Sequence, residues 1–133
     1  MKFHTIIGGP RPVAPFSHAV ETAGFIFVTG QMPDTPAAPG QLPGGIEAQT
    51  RAVMENLRLV LAALDLGFEH IVMVRIYLSR FQEDYEPMNV TYRSYFAPDR
   101  LPARTCVGVT DLAYDARIEI DLVCRRPSEC VIK

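Results

Sequence analysis

The stretch Leu101–Val109, LPARTCVGV, determines how the rest of the chain is interpreted. It has the form of a short strand entered through a proline, and successive side chains of a strand point to opposite faces of a sheet. The two faces carry Arg104, Cys106 and Gly108 on one side and Thr105, Val107 and Val109 on the other. We expect the β-branched side to pack, and the other side to present a guanidinium beside a thiol.

A second strand, Arg117–Cys124, shows a clearer alternation. Its apolar side chains are Ile118, Ile120, Leu122 and Cys124, and its charged side chains are Arg117, Glu119 and Asp121. The turn-rich segment 110–115 separates this strand from the first, which predicts that the two pair antiparallel. That pairing would bring Arg104 and Glu119 near each other on one face of the sheet.

Composition and charge limit the classes of protein that fit. The chain has 133 residues, of which 48% are hydrophobic and 21% are charged, which is typical of one globular domain spanning residues 1–133. The formal net charge is -2 and there is no basic run, which argues against nucleic-acid binding driven by charge. No apolar run approaches the length of a membrane span, and the first residues lack the apolar region of a signal peptide.

The cysteines and histidines indicate neither a disulfide framework nor a metal site. The three cysteines, Cys106, Cys124 and Cys130, form no CxxC motif, and the three histidines, His4, His18 and His70, lie far apart. No dinucleotide-binding, P-loop or nucleophile-elbow motif is present in the sequence. We therefore expect a cytoplasmic protein with free thiols.

The remaining elements are predicted from hydrophobic periodicity. They are the strands Phe3–Ile7, Ser17–Glu21, Phe25–Thr29 and Ile71–Leu78, and the helices Ile46–Leu66 and Asp84–Phe96. Their order predicts an α+β fold in which two helices pack on one face of a mixed sheet. The second face of such a sheet lacks a cover within one chain, which favours self-association.

The helix ends and the exposed face of the second helix are also predicted. Gly67 is expected to cap the C-terminus of the first helix. Asp84 is expected in the N-cap region of the second helix, with Pro87 in its first turn. Asn89 lies one turn from Arg93, away from the apolar stripe of that helix, so spacing alone predicts a solvent-exposed side chain.

Arg104 is the strongest candidate for a binding residue, because a guanidinium can hold a carboxylate through two parallel hydrogen bonds. The alternative, which spacing alone favours, is a solvated charge or a structural ion pair with Glu119 or Asp121. Glu119 is either a residue that positions water and moves protons or an exposed strand residue. Cys106 is more typical of a packed or pocket-lining residue than of a nucleophile, because no base lies at a telling spacing.

Six segments along the chain resemble, in the same order, the motifs of the Rid/YjgF family. They are APFSHAV, FIFVTGQMP, GGIEAQTRAVMENLRLVL, MNVTYRSYF, LPARTCVGV and IEIDLVC, and they extend from about Ala14 to Cys124. The family contains the reactive intermediate deaminases, formerly described as endoribonucleases (L-PSP) or translation inhibitors. The TGQ, PAR and IEID pieces are specific in combination.

The resemblance implies both an architecture and an activity. The implied fold is chorismate-mutase-like (YjgF-type) α+β, assembled as a homotrimer with the sheets facing inward and with clefts between subunits. The implied reaction is hydrolysis of imines and their enamine tautomers, such as 2-iminopropanoate and 2-aminoacrylate, to 2-oxo acids and ammonia. The substrate would be a small carboxylate-bearing molecule, and neither a metal nor an organic cofactor would take part.

The family's motifs also imply roles for particular residues. Arg104 matches the substrate-binding arginine, Cys106 the pocket cysteine and Glu119 the residue that positions water. The other implied substrate-binding positions are Phe16, Thr29, Gly30, Asn89 and Tyr92. Phe16 replaces the family's usual tyrosine, Thr29 a serine and His18 a glutamine. These replacements leave the carboxylate anchor in place and the preferred substrate open.

Several functions therefore stay open on the sequence. The first is the imine/enamine deaminase, including pathway-specific relatives such as a 2-aminomuconate-type deaminase. The second is a non-catalytic trimer that binds small carboxylates, for which the Phe16 replacement is the main argument. A ribonuclease is least favoured, because the chain is acidic overall and lacks histidines spaced for phosphodiester cleavage.

Overall fold

The computed structural model describes residues 1–9 and 14–128, and within these residues six strands form one mixed sheet. In chain order the strands are β1 (Lys2–His4), β2 (Ala19–Thr22), β3 (Phe25–Gln31), β4 (Ile71–Leu78), β5 (Ala103–Gly108) and β6 (Ile118–Arg125). Helix α1 (Ile46–Ala63) connects β3 to β4, and helix α2 (Phe81–Arg93) connects β4 to β5. The predicted α+β layout is confirmed, whereas Cys130 lies outside the described residues.

The sheet order, β1-β2-β3-β6-β4-β5, places the last strand of the chain in the middle. β6 pairs antiparallel with both β3 and β4, and β5 pairs parallel with β4 at the edge. The predicted antiparallel pairing of the two strands that carry Arg104 and Glu119 is therefore wrong. Alternate residues of β6 from Ile118 to Cys124 are at most 2% exposed, which suits a central strand with neighbours on both sides.

Both helices pack on one face of the sheet and leave the other face open. The covered face contributes buried side chains such as Val74 and Ile120 to a core that they share with Leu57 of α1 and Met88 of α2. The predicted placement of both helices on one face is therefore confirmed. Within the described part of the chain, no helix is long and apolar enough to cross a membrane.

The side chains of the edge strand β5 point to the faces opposite to those predicted. Arg104 and Cys106 pair with buried positions of β4 and lie on the face covered by α2. Val107 is 42% exposed on the open face, which also carries Phe27 at 48% exposure. The predicted packing of Thr105 and Val107 is wrong, because the helices cover the side of β5 that carries the guanidinium.

Helix α1 ends in a Schellman motif whose left-handed residue is Asp65. Asp65 has a φ of 60°, and its N–H donates to the carbonyl of Ala62 at 3.1 Å. The N–H of Leu66 donates to the carbonyl of Leu61 at 2.9 Å. Gly67 is not the cap that was predicted: it precedes a short 3₁₀ turn with an extended φ of -134°. Aspartate tolerates the left-handed conformation, so this helix ends without a glycine.

Helix α2 begins at Phe81 and ends at Arg93, so it starts and stops earlier than predicted. Pro87 therefore lies inside the helix and not in its first turn. Asp84 is not the N-cap, because Arg80 occupies that position and Asp84 lies within the first turn. Its fully buried carboxylate is bound to the guanidinium of Arg117.

The ion pair between Asp84 and Arg117 joins α2 to the start of β6. Arg117 Nε donates to Asp84 Oδ2 at 2.9 Å, and Arg117 Nη2 donates to Oδ1 of the same carboxylate. Arg117 Nη2 also lies 3.3 Å from Glu83 Oε1. The backbone N–H of Arg117 donates to Gln49 Oε1 of α1 at 2.8 Å. Both helices are therefore anchored just before Glu119 in the sequence.

Removing one partner of this buried pair is expected to destabilise the fold. Asp84→Asn leaves the Arg117 guanidinium with only the exposed Glu83 as a charge partner, and should lower the free energy of unfolding by about 3 kcal/mol. The measurement is urea unfolding followed by circular dichroism at one protein concentration. Glu55→Gln breaks an exposed pair with Arg58 but keeps an acceptor for the Tyr95 hydroxyl, so as the matched control it should cost at most about 0.5 kcal/mol. Equal unfolding midpoints for the two variants would show that the buried pair does not determine stability.

Candidate functional site

Arg104 is held by neutral groups of α2. Its Nη1 donates to Asn89 Oδ1 at 2.7 Å, and its Nη2 donates to the Tyr85 hydroxyl at 3.2 Å. Its guanidinium carbon lies 5.1 Å from the ring centroid of Tyr92 and 5.8 Å from that of Tyr85. Among residues 1–9 and 14–128, no carboxylate lies within ion-pair distance of this guanidinium. The chain therefore leaves its positive charge available to a ligand.

A cleft of about 310 Å³ lies between α2 and the segment that leads into β5. One wall is formed by Tyr85, Asn89 and Arg93, which are spaced four residues apart along one side of the helix. The other wall includes Pro102 and Arg104. We term this feature, with Tyr92 beside it, the arginine cleft. Its volume falls at the lower end of the range for small-molecule sites.

Tyr92 is buried beside Arg104 with an unpaired hydroxyl. It is 5% exposed, and its hydroxyl has no hydrogen-bond partner within the described residues. Burial raises the pKa of Tyr92 to about 12, although the Arg104 cation acts in the opposite direction. The hydroxyl therefore keeps its proton at neutral pH and is an unsatisfied donor that is itself closed to solvent.

Spacing along the sequence mispredicts the environment of Asn89 and correctly predicts that of Cys106. Asn89 is half-buried and orients Arg104, so its predicted solvent exposure is wrong. Cys106 packs against the hydrophobic core, and burial raises the pKa of its thiol more than the Arg104 cation lowers it. A thiol with a raised pKa is a weak nucleophile at neutral pH, which agrees with the packing interpretation.

Glu119 lies on the opposite face of the sheet from Arg104. Arg104 is aligned with Val74 of β4, and Glu119 is aligned with Tyr77 of the same strand. Because Val74 and Tyr77 are three positions apart in the strand, their side chains point to opposite faces. The prediction that Arg104 and Glu119 share one face is therefore wrong, and the alternative of an ion pair between them is wrong as well.

Glu119 contacts the end of β3. A methyl group at Gly30 would lie 3.0 Å from Glu119 Cδ and closer still to Oε2, so glycine is needed to leave room for the carboxylate. The adjacent Thr29 donates its hydroxyl to the carbonyl of Ser17 at 2.6 Å. This bond holds the segment that carries Phe16, which is 40% exposed. We term Glu119 and Gly30, with Thr29 beside Gly30 in the sequence and Phe16 beside Ser17, the carboxylate site.

The carboxylate site has an electrostatic environment that sequence patterns do not predict. Burial raises the pKa of the Glu119 carboxyl above its ordinary value, and the Asp121 carboxylate raises it further. Asp121 accepts hydrogen bonds from Arg75 Nε at 2.7 Å and from the Tyr77 hydroxyl at 3.0 Å. In the sequence, the one indication of these contacts around Asp121 is Arg75, the single charged residue in an otherwise apolar strand. A carboxyl with a raised pKa exchanges protons closer to neutral pH, which suits acid–base chemistry.

The fold and these two features define an α+β protein with an anion-attracting cleft on one side of its sheet and a semi-buried carboxyl on the other. Within the described residues, no cluster of three or more His, Cys, Asp or Glu side chains is arranged to hold a metal ion. The sequence model of the family described as Endoribonuclease L-PSP matches residues 7–125. The chain belongs to this family, and the Rid/YjgF resemblance of its motifs is confirmed.

Relatives and solved structures agree with this assignment. A RutC family protein from Pyrococcus horikoshii is 35% identical over 114 residues, which cover 86% of this chain and 89% of that protein. The YjgF gene product from E. coli has a TM-score of 0.85 at 27% identity, covering 96% of this chain and 100% of that one. TdcF from E. coli, solved with bound serine, has a TM-score of 0.86 at 25% identity, covering 95% and 100%. The YjgF-type fold predicted from the motifs is therefore confirmed.

Replacing Asp121 by asparagine is expected to lower the pKa of Glu119. The change removes the negative charge that opposes ionisation of Glu119 and releases the Arg75 guanidinium, and both effects favour the carboxylate. The measurement is a pH titration of the Glu119 carboxyl carbon by NMR, assigned by comparison with Glu119→Gln. Asp99→Asn, which removes the same charge at an exposed position, is the control and should leave that pKa in place. A constant or higher pKa of Glu119 in Asp121→Asn would contradict the role given to Asp121.

Proposed function

We propose that this protein is a hydrolytic deaminase that converts reactive 2-imino acids and their enamine tautomers, such as 2-aminoacrylate, to 2-oxo acids and ammonia. The observation that carries the proposal is the half-buried Arg104 guanidinium, which is oriented by neutral groups and has no carboxylate partner in the described chain. Such a group is suited to bind the carboxylate of a substrate through its planar fork. The serine bound to the related TdcF also carries a carboxylate, which supports this choice of ligand.

The reaction requires a held substrate, a placed water and transfer of protons. An imine carbon is electrophilic, especially when its nitrogen is protonated. Addition of water gives a tetrahedral aminoalcohol, which releases ammonia and leaves the 2-oxo acid. Arg104 holds the carboxylate, and Glu119 accepts a proton from the attacking water and returns it to the departing nitrogen. No electrons are transferred, so this chemistry needs no redox group.

In this proposal the two groups come from different copies of the chain. In one copy they lie on opposite faces, on strands separated by β4, so about 10 Å of sheet width lies between their backbones. The open face near Glu119 also exposes Phe27 and Val107, apolar side chains that a second copy would bury. We infer a homotrimer in which the open face of each subunit meets the arginine cleft of the next, which gives inter-subunit sites.

A non-catalytic trimer that binds small carboxylates is the second candidate. It is favoured by Phe16, which provides no hydroxyl beside the carboxylate site at a position where the family usually has a tyrosine. Such a protein would bind a 2-oxo acid without accelerating imine hydrolysis. The deaminase requires both properties, so a rate measurement separates the two candidates.

Arg104→Ala should lower kcat/KM for imine hydrolysis roughly 30- to 1000-fold, because losing a charge-assisted bidentate contact costs on the order of 2–4 kcal/mol. Arg104→Lys should restore only part of the activity, because lysine lacks the planar fork. The measured quantity is 2-oxo acid release from 2-iminopropanoate, generated from alanine by an amino-acid oxidase, minus the spontaneous rate. Arg51→Ala, which removes an exposed guanidinium on α1, is the matched control and should retain activity. If folded Arg104→Ala kept the full acceleration, Arg104 would not be the substrate anchor.

Two inactive variants should restore each other when they are mixed. Arg104→Ala and Glu119→Gln, mixed in equal amounts and allowed to exchange subunits, should regain about one quarter of the wild-type rate, because about one interface in four joins an intact arginine to an intact glutamate. Light scattering should give a mass of roughly three times the 14.8 kDa chain. Mass spectrometry of isotope-labelled copies verifies that exchange is complete. Complete exchange with no regained activity would place both groups of the site in one subunit.

A further inference from the structure

Two arginines line the arginine cleft, the half-buried Arg104 and the exposed Arg93, and neither is paired with an acid within the described residues. Arg104 donates to neutral acceptors, Asn89 Oδ1 and the Tyr85 hydroxyl. Arg93, in the last turn of α2, lines the same cleft and forms no ion pair with the described chain. None of the described residues that line the cleft is an aspartate or a glutamate. Within one subunit the cleft therefore carries one more positive charge than a monocarboxylate would neutralise, and the proposed trimer adds the Glu119 carboxyl of the next subunit at the reacting end.

The two cationic side chains are arranged along the cleft. Asn89 and Arg93 are one helical turn apart on the same side of α2, with Cβ atoms about 5–6 Å apart. Asn89 in turn holds the Arg104 guanidinium at 2.7 Å. The Cβ atom of Arg93 thus lies about one helical turn beyond Asn89, the residue that orients Arg104. In an extended dicarboxylic acid of four to six carbons, bonds of about 1.5 Å place the two carboxylate carbons about 4–6 Å apart.

The space and the donors of the cleft also exceed the needs of a three-carbon acid. Its volume of about 310 Å³ lies within the range of sites that hold small molecules. A ligand with a second carboxylate would give each of the two arginines its own pair of acceptor oxygens, because each carboxylate brings two.

We infer that the arginine cleft selects 2-imino acids that carry a second carboxylate, with Arg104 binding the carboxylate next to the imine carbon and Arg93 binding the distal one. The reaction stays balanced, since the imine and one water give a 2-oxo dicarboxylate and ammonia while both carboxylates pass through unchanged. The inference rests on the proposed deaminase function for the reacting end of the substrate. Binding of a dicarboxylate in the cleft does not depend on turnover.

Calorimetry of ligand binding tests the cleft without catalysis. Wild-type protein should bind 2-oxoglutarate, a dicarboxylate, at least about 10-fold more tightly than 2-oxobutanoate, a monocarboxylate of similar chemistry. Arg93→Gln should remove most of this preference. Arg80→Gln removes the same charge at the opposite end of α2 and, as the matched control, should keep the preference. Equal affinities in the wild type, an unchanged preference in Arg93→Gln, or equally tight binding of inorganic phosphate would overturn the inference.

Rates separate a failure of this inference from a failure of the proposed function. Amino-acid oxidases acting on alanine and on glutamate supply a monocarboxylate and a dicarboxylate imine. Preferential acceleration of the dicarboxylate, with a ratio of the two kcat/KM values that falls about 10-fold in Arg93→Gln, supports both proposals. Equal acceleration of both, or acceleration of the monocarboxylate alone, keeps the deaminase and overturns the selectivity. Acceleration of neither, with 2-oxoglutarate bound through Arg93, overturns the deaminase and leaves the dicarboxylate site in place.

Discussion

The alternation of side chains along a strand is the constraint on which both features of the site depend. β5 and β6 lie on either side of β4, and their registers with β4 decide which face each side chain occupies. Arg104 is level with Val74 and turns toward α2, whereas Glu119 is level with Tyr77 and turns to the open face. A slip of β5 by one residue would move Arg104 away from Asn89 and would replace it beneath α2 by an apolar or small side chain. The sheet thus gives its cation and its carboxylate two separate environments.

Of two partly buried arginines, Arg117 has a carboxylate partner within the described chain and Arg104 has none. Arg117 is bound to the fully buried carboxylate of Asp84, so its charge is compensated within the fold. Arg104 is oriented by an amide and a hydroxyl and is flanked by aromatic rings, none of which neutralises it. A compensated arginine stabilises the packing of the helices on the sheet, whereas an oriented but uncompensated one favours the binding of an anion. Sequence position alone does not distinguish these roles, because both residues stand in or beside a strand.

The sequence predicts the layers of this fold well and their lateral order poorly. Periodicity finds β4 with its observed bounds, the core stripe of α1 and the placement of both helices on one face. Pairing of neighbours in sequence is the common arrangement, but here the alternating and fully buried β6 occupies the centre and separates β3 from β4. The error in strand order led to the prediction that Arg104 and Glu119 share a face.

The residues of the arginine cleft show the same division between what patterns reveal and what contacts decide. The PAR motif indicates Arg104, and family resemblance adds Asn89 and Tyr92. Tyr85 and Arg93 are missed, although their four-residue spacing from Asn89 on α2 is a readable signal. That spacing becomes informative only when the wall opposite α2 is known, and that wall is formed by the entry to β5, whose fold-back beside α2 the sequence does not reveal.

The position of Glu119 and Arg104 on opposite faces of one sheet has a consequence for how such a protein behaves in a cell. Each newly made chain contains both halves of the proposed site and can use neither. In the proposed trimer, output depends on the assembled fraction, so dilution lowers the rate more steeply than it lowers the amount of protein. Abundance alone would act as a threshold, without an effector, a modification or a change in the shape of the subunit.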